Sequence, residues 1–372
     1  MTDLVAAAEA VSELVSANAD EAEQLRRLPQ STVDALVEAG LMRMAVPAAY
    51  GGPEADPLTM LTAIETVARA DGAAGWCTMI ASTTSSQSLF LPPDTARSIY
   101  GDADVVTGGV FVPNGRGAVV DDHVTVTGRW PWGSGTQHCQ WILGGTLCDD
   151  DTFRLCWFEQ SDVTFHDTWY TSGLRGTGSL DFSVDGVAVP LDRTIQPGRS
   201  RRTIEIPLAR FPNFSLLAAG VASVSLGIAR RAIDELVALA AGKRPQFSSK
   251  TLAESPYTHV ELARAEAALR SARAFLHDEV GRAWDRAVAG ERVEIADRIG
   301  IRLAGANAAQ RSAEVADMAY MLAGGSSVYD SSVLQRCQRD AHVPTQHMQV
   351  APKLHELAGR FLLGQDIDTS LL

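Results

Sequence analysis

The apolar positions of this chain change period twice, near residues 105 and 206, and the changes divide it into helical, strand-like and again helical stretches. The first stretch, residues 1–104, is helical in texture. Ser31 is placed to cap a short apolar-periodic run that Gly40 closes just past its C-terminus. Pro57 then opens LTMLTAIETVARADG, in which Leu58, Leu61, Ile64, Val67 and Ala68 fall on one helical face. From 105 to 205 the pattern shortens. VVDDHVTVTGRW alternates about a turn at Asp121–Asp122, and WILGGTLC, FRLCWFEQ and SLDFSVDGVAVP are further strand-like runs. No helical stretches interleave with them, so the spacing predicts a small antiparallel sheet rather than βαβ units. Residues 206–372 return to the helical period, with helices expected at Phe214–Ala241, Thr258–Ala289, Val293–Leu322 and Ser331–Leu363, enough for a four-helix bundle. The fold class is therefore mainly α with a central small β domain.

Composition narrows the function classes. A formal charge of −13 on 372 residues argues against nucleic acid or anionic lipid as a partner. The short basic run Arg199, Arg201 and Arg202 reads as a solvated linker. Cys77, Cys139, Cys148, Cys156 and Cys337 are scattered, with no pair at metal-ligand spacing, so buried, reduced thiols are expected and no metal site. The N-terminal 29 residues carry acids throughout and lack the basic start of a signal peptide. The most apolar run, Leu216–Ala229, is short of the roughly 20 residues that span a bilayer. A cytoplasmic protein without a membrane partner is expected.

Familiar nucleotide signatures are missing. No GxGxxG follows a strand, there is no Walker loop, and the segment from Gly173 to Gly178 has the wrong glycine spacing. Neither a GxSxG elbow nor HExxH occurs.

The order of α region, small β region and four-helix bundle resembles the acyl-CoA dehydrogenase superfamily over nearly the whole chain. The resemblance is carried by GLMRMAVPAAYGG, ARADGAAGWCTMI, GRWPWGSGTQHCQW, DTWYTSGLRGTGSLDFSVDGVAVP, MLAGGSSVYDSSVLQRCQRDAH and HMQVAPKLHELAGRFLLG, in that order. Within the superfamily, GRWPWGSG resembles the WxFxSG signature of the flavin-dependent monooxygenase branch, where dehydrogenases carry a W-I-T-N type sequence. That branch includes oxygenase components acting on 4-hydroxyphenylacetate, steroid-derived phenols, dibenzothiophene and indole compounds.

The resemblance implies site residues. It places Ser134 near the N5 side of a flavin, where a hydroxyl can hydrogen-bond the ring or its oxygen adduct. Taken alone, Ser134 is a turn residue between Gly133 and Gly135. His347 falls at the branch's histidine offset after Arg339-Asp340, on the expected last helix, and an imidazole there can take a proton from a phenol or indole or hydrogen-bond the adduct. Taken alone, it is a packed or capping histidine. His342, five residues earlier, is too far round a helix to share that face unless Pro344 kinks the segment; it is a candidate substrate contact and the alternative working histidine. Val110, Phe111, Trp132, Ser134, Gly176 and Thr177 are expected to approach the flavin, between the β domain and the bundle. Gly324, Gly325, Ser326 and Ser327 would contribute from a neighbouring subunit, glycines there admitting phosphate oxygens to the backbone. Trp76, Trp130, Trp132 and Trp169 read individually as core, and Trp169, beside the Gly173–Gly178 turn, is the other candidate substrate contact.

Two departures qualify the match. HMQVAPKLHELAG offers only Glu356, not the carboxylate base a dehydrogenase uses on a thioester, which weakens that reading. Some monooxygenases place a histidine after the first GW motif, whereas this chain has none before His123 and offers only hydroxyls and Gln87 in MIASTTSSQSLF.

The implied reaction is hydroxylation of an aromatic or heteroaromatic small molecule by dioxygen through a flavin C4a-hydroperoxide. Reduced FAD or FMN would come from a separate NAD(P)H:flavin reductase, and the assembly would be a homotetramer. An acyl-CoA dehydrogenase-like flavoprotein oxidising a thioester or amine, and a catalytically silent flavin-binding scaffold, are the alternatives at this stage.

Overall fold

The computed structural model describes residues 3–369 and 372. By contact density the chain forms two units, one of Met1–Met60, Trp76–Thr171 and Arg175–Arg210, the other of Leu61–Gly75, Ser172–Leu174 and Phe211–Leu372. The boundaries between them include positions within two helices, α4 (Pro57–Ala70) and α5 (Gly72–Ser85).

In the first unit, α1 (Leu4–Ala17) begins where the Asp3 carboxylate accepts from the N–H groups of Val5 and Ala6, both at 3.1 Å. It is followed by α2 (Ala19–Leu25) and α3 (Gln30–Glu38). Ser31 is not the cap of α3. Pro29, with extended backbone, holds that position, and the Ser31 hydroxyl instead accepts from Asn18 Nδ2 at 3.0 Å. Gly40 does close the helix, at φ +72°. In α4 the expected stripe is buried at Leu61, Ile64, Val67 and Ala68, with Leu58 at its edge. After α6 (Pro93–Tyr100) come seven strands: β1 (Thr107–Val120), β2 (His123–Gly133), β3 (Trp141–Cys148), β4 (Phe153–Glu159), β5 (Thr164–His166), β6 (Leu180–Pro190) and β7 (Thr194–Ile195). Tyr50, Leu91, Ile99 and Tyr100 from the helical part pack with Leu143, Leu155 and Trp157 of the sheet in one core.

The sheet order is β5-β6-β2-β1-β3-β4-β7, and it is mixed rather than antiparallel, because β1 and β3 run parallel. Chain direction explains the difference. β1 and β2 form the expected tight hairpin, with Val120 opposite His123 and Asp121 at φ +49°. The chain therefore leaves β2 at the end where β1 began, and β3 must run as β1 does. The short 134–140 connection makes this turn across the start of β1. A Cβ on Gly108 would lie 2.9 Å from Cys139 Sγ, and one on Gly109, at φ +148°, would lie 2.2 Å from Leu143 O.

The second unit is the bundle: α8 (Asn213–Gly242), α9 (Pro256–Val288), α10 (Ile295–Ala323), α11 (Val333–His342) and α12 (Lys353–Leu362), preceded in the chain by the short α7 (Pro207–Arg210) of the first unit. The expected fourth helix is two helices. Pro344 cannot continue the hydrogen-bond ladder of α11, and a short 3-10 turn, Pro344–Gln346, takes over there. Helix α8 is long and apolar enough to cross a membrane by composition, but 83% of its apolar window is buried inside the protein. It is the central core helix of the bundle. All five cysteines are buried thiols, none of them in a disulfide.

Gly109→Ala is expected to lower stability by roughly 2–4 kcal/mol, since both the backbone angle and the Leu143 carbonyl oppose a methyl group there. A thermal unfolding midpoint equal to that of the parent would contradict this account of the β1–β3 crossing.

Candidate active site

Ser134 lies where β2 ends. The β2–β6 register slips between Trp130 and Gly133, and Trp132 adopts φ +63°. Residues two apart on a strand normally share a face. Here the bulge separates them. Trp130 is fully buried, stacked on Phe182 with 5.1 Å between ring centroids, and its indole N–H reaches Gly145 O at 2.8 Å. Trp132 is 66% exposed, contrary to its reading as core. An outward-turned indole held by strained backbone is a feature of functional sites rather than of packing.

The Ser134 side chain is buried within a chain of hydrogen bonds. Trp76 Nε1, from α5, donates to Ser134 Oγ at 3.0 Å. Ser134 Oγ shares a 2.7 Å bond with Ser179 Oγ, which shares another of 2.7 Å with Thr177 Oγ1. Gly135 N–H donates to Thr177 O at 3.0 Å, tying the turn after β2 to the Arg175–Thr177 turn. The structure thus joins two residues expected at the cofactor, Ser134 and Thr177, through Ser179. Gly176 is buried in the same turn, Val110 is buried and Phe111 half-buried on β1. Ser179 and Trp76 were not anticipated as parts of this network, since neither stands out by spacing.

Trp169 is half-buried, and its carbonyl accepts from Arg26 Nη1 at 3.2 Å. Arg26 also holds Asp167 in a fork, at 2.7 and 3.0 Å, and lies 4.0 Å from the centre of the Tyr170 ring. The segment carrying Trp169 is therefore fastened on both sides. The hydroxyls of MIASTTSSQSLF are largely spent on backbone. Ser82 donates to Leu41 O, Thr83 to Met79 O, Ser85 to Ser82 O, Ser86 to Thr83 O and Ser88 to Ser85 O.

In the second unit, Asp340 is buried, and its carboxylate accepts the Leu174 N–H at 2.6 Å. Leu174 is held at φ +47°, and Gly173 lies so close to α11 that a Cβ would sit 2.3 Å from Arg339 O. In the sequence the Arg-Asp pair marks only the offset of a histidine; in the structure Asp340 holds Leu174 and Arg339 donates to Ser172 O, so the pair clamps Ser172–Leu174. His342 is exposed and pairs with Asp317 at 3.0 and 3.2 Å. His347 is half-buried and, rather than lying on a long helix, follows the 3-10 turn with extended backbone. The Gln349 N–H donates to its Nδ1 at 3.3 Å. Burial, reinforced by the Arg302 guanidinium, lowers its pKa to about 4. Arg302 is itself buried, its Nε and Nη1 without hydrogen-bond partners among the described residues. Glu356 is exposed on α12. Gly324–Ser327 forms a 3-10 turn after α10, with the Ser327 hydroxyl folded back onto Tyr320 O and Gly324 O and Ser326 Oγ accepting from Lys243 Nζ. A Cβ on Gly324 or Gly325 would meet nothing within 4 Å.

Burial also brings His138 to a pKa of about 4. Above about pH 6.5, the ordinary value of both histidines, folded and unfolded chains hold them neutral and neither contributes. As the pH falls below it, the unfolded chain takes up protons that the folded chain refuses until about 4. Stability is therefore expected to drop across that window, and His138→Asn with His347→Asn should flatten the drop. Urea unfolding at a series of pH values measures it, and an unchanged slope in the double variant would contradict the assignment.

Two family models match the chain, the acyl-CoA dehydrogenase N-terminal domain over residues 4–91 and the acyl-CoA dehydrogenase C-terminal domain over residues 219–352. Indole-3-acetate monooxygenase of Pseudomonas putida is 35% identical over 353 residues, covering 93% of this chain and 90% of that protein. The oxygenase subunit HsaA of a flavin-dependent monooxygenase from Rhodococcus jostii is 30% identical over 351 residues, covering 90% and 91%. Among solved structures, XiaF from a Streptomyces species, in complex with FADH2 and glycerol, superposes with a TM-score of 0.92 at 25% identity, covering 98% of this chain and 95% of that one. With these relatives matching over about nine-tenths or more of each chain, the chain belongs to the flavin-dependent monooxygenases of the acyl-CoA dehydrogenase fold.

Proposed function

We propose that Ser134 and His347 are the working residues of this chain as the oxygenase component of a two-component flavin-dependent monooxygenase, acting on an aromatic or heteroaromatic small molecule. The observation that carries the reading is the buried hydroxyl chain ending at Ser134, beside an indole turned outward by a bulge. These groups are neutral and polar, which suits the heteroatom edge of an isoalloxazine ring. Val110, Phe111, Trp132, Ser134, Gly176 and Thr177 would hold FAD or FMN. The open backbone of Gly324–Ser327 from a neighbouring copy would complete that hold in a homotetramer. Bound reduced flavin, delivered by an NAD(P)H:flavin reductase, supplies the two electrons that activate dioxygen, one oxygen atom going to the substrate and the other to water.

The chain's own part is to exclude water and to place hydrogens. Ser134 Oγ is anchored by Trp76, so its position does not depend on solvent. His347, with Nδ1 accepting from Gln349, carries its proton on Nε2 when neutral. It therefore acts as a hydrogen-bond donor to the substrate or oxygen, rather than as the resting base. His342, exposed and paired with Asp317, is left outside the chemistry. Trp169 would wall the substrate, its backbone fixed by Arg26. The protein works in the cytoplasm, where its thiols stay reduced.

The test is single turnover with reduced flavin and oxygen over a panel of phenols and indoles. The parent should yield hydroxylated product. Ser134→Ala and His347→Ala should each divert turnover to hydrogen peroxide, cutting product roughly 10- to 100-fold, while His342→Ala should behave as the parent. Bleaching of bound oxidised flavin by an acyl-CoA, with no reductase present, would sink the proposal.

A further inference from the structure

The hydroxyl chain behind Ser134 has a property that its individual bonds do not reveal. An indole N–H can only donate, so one of the two lone pairs on Ser134 Oγ is permanently taken by Trp76. What remains is one hydrogen and one lone pair, shared between Ser179 and whatever Ser134 faces. Either oxygen can donate in the Ser134–Ser179 bond, and the same holds for Ser179–Thr177. Two arrangements run both bonds the same way; the third, with Ser134 and Thr177 both donating to Ser179, takes the Ser179 hydrogen out of the chain. In the outward one, Thr177 donates to Ser179 and Ser179 to Ser134, both lone pairs of Ser134 are filled, and its hydrogen must point out. In the inward one, Ser134 donates to Ser179 and Ser179 to Thr177, and Ser134 presents a lone pair.

We infer that Ser179, with Thr177 behind it, is a positioning residue that lets Ser134 match both redox states of the flavin. This rests on the reading above that Ser134 meets the N5 side of the ring. Oxidised flavin has a lone pair at N5 and needs a donor; reduced flavin has N5–H and needs an acceptor. Outward and inward arrangements supply these in turn. The exchange is a concerted rotation of three hydroxyl hydrogens, in which no covalent bond forms or breaks and no proton leaves the chain. All three oxygens belong to residues no more than 6% exposed, so water is a poor substitute for the missing partner.

The two states are not equally vulnerable. In Ser179→Ala, Ser134 can still donate to oxidised flavin. Facing N5–H it must accept, and its own hydrogen is then buried without a partner. Binding of reduced flavin should weaken roughly 5- to 100-fold relative to oxidised flavin, the usual cost of an unmet buried donor expressed as affinity. Thr177→Val, which removes the hydroxyl behind Ser179, should shift the ratio the same way by less, and Ser179→Thr should restore it.

The experiment is anaerobic titration of the full-length protein with oxidised and with photoreduced FMN and FAD, followed by flavin fluorescence and absorbance, for the parent, Ser134→Ala, Ser179→Ala, Ser179→Thr and Thr177→Val. A ratio shifted against reduced flavin in Ser179→Ala and recovered in Ser179→Thr is the expected result. Equal weakening of both forms, or no change, in Ser179→Ala while Ser134→Ala alters binding would overturn the inference and leave Ser134 at the flavin. If Ser134→Ala binds both forms as the parent does, the placement of Ser134 fails and the inference falls with it. Should Ser179→Ala not fold, Thr177→Val decides on the same criterion.

Discussion

A single hydrogen bond of fixed direction, from the Trp76 indole to Ser134 Oγ, sets the terms for the rest of the site. Because an indole N–H cannot accept, Ser134 enters every other interaction with half its acceptor capacity spent. The bond also joins α5 to the end of β2, where the strand has already slipped register and turned Trp132 outward. Behind this end the chain crosses the start of β1 so tightly that glycine is needed at two consecutive positions. Backbone that must pass this close leaves little freedom to the side chains it carries. That rigidity makes a small neutral cluster useful, because each hydroxyl is placed by covalent geometry and packing rather than by solvent.

Much of this fold was legible in the sequence, and the failures have physical causes. The hairpin at Asp121–Asp122, the close of α3 at Gly40 and the buried stripe of α4 all follow from local rules of period and turn chemistry. The parallel β1–β3 pair does not, because strand direction depends on where the previous hairpin ends in space. The break in the last helix had its signal in Pro344, but His347 was carried past it on a helical count that the proline interrupts. Trp132, taken alone, reads as core like the other tryptophans, and only the resemblance puts it at the flavin. Its exposure comes from a bulge two strands wide, and no single-strand pattern encodes that.

The candidate site was legible in part for the same reason. Ser134 and Thr177 stand in segments with recognisable neighbours, whereas Ser179 and Asp340 act on residues distant in sequence. Ser179 carries no pattern of its own, and its importance lies in joining two hydroxyls 43 positions apart (177 − 134). Asp340 stands in the Arg-Asp pair, yet its job is to hold Leu174 in a left-handed conformation that leucine does not favour. The dense hydroxyls after Trp76, which stand where some relatives of the branch carry a histidine, mostly return their hydrogens to nearby carbonyls.

The charges that are buried, and those that are not, separate this chain from dehydrogenase chemistry more firmly than any single motif. Removing an α-proton from a thioester requires a carboxylate that is both poised and uncommitted. Glu356 is exposed, and the buried acids among the described residues, Asp71 and Asp340, are committed to the Ala74 and Leu174 amides. The buried charge beside His347 has the opposite sign. Arg302 keeps two of its nitrogens without hydrogen-bond partners among the described residues, and a second cation next to it is unfavourable. His347 is thereby held neutral across the physiological range, and the Gln349 amide at Nδ1 leaves the proton on Nε2. The two candidate residues are thus placed by different means, a hydroxyl by the buried chain that anchors it and an imidazole by an adjacent cation that keeps it neutral. A neutral imidazole with its proton on Nε2 can donate to a ligand that accumulates negative charge on oxygen, as activated dioxygen and a phenol losing its proton both do.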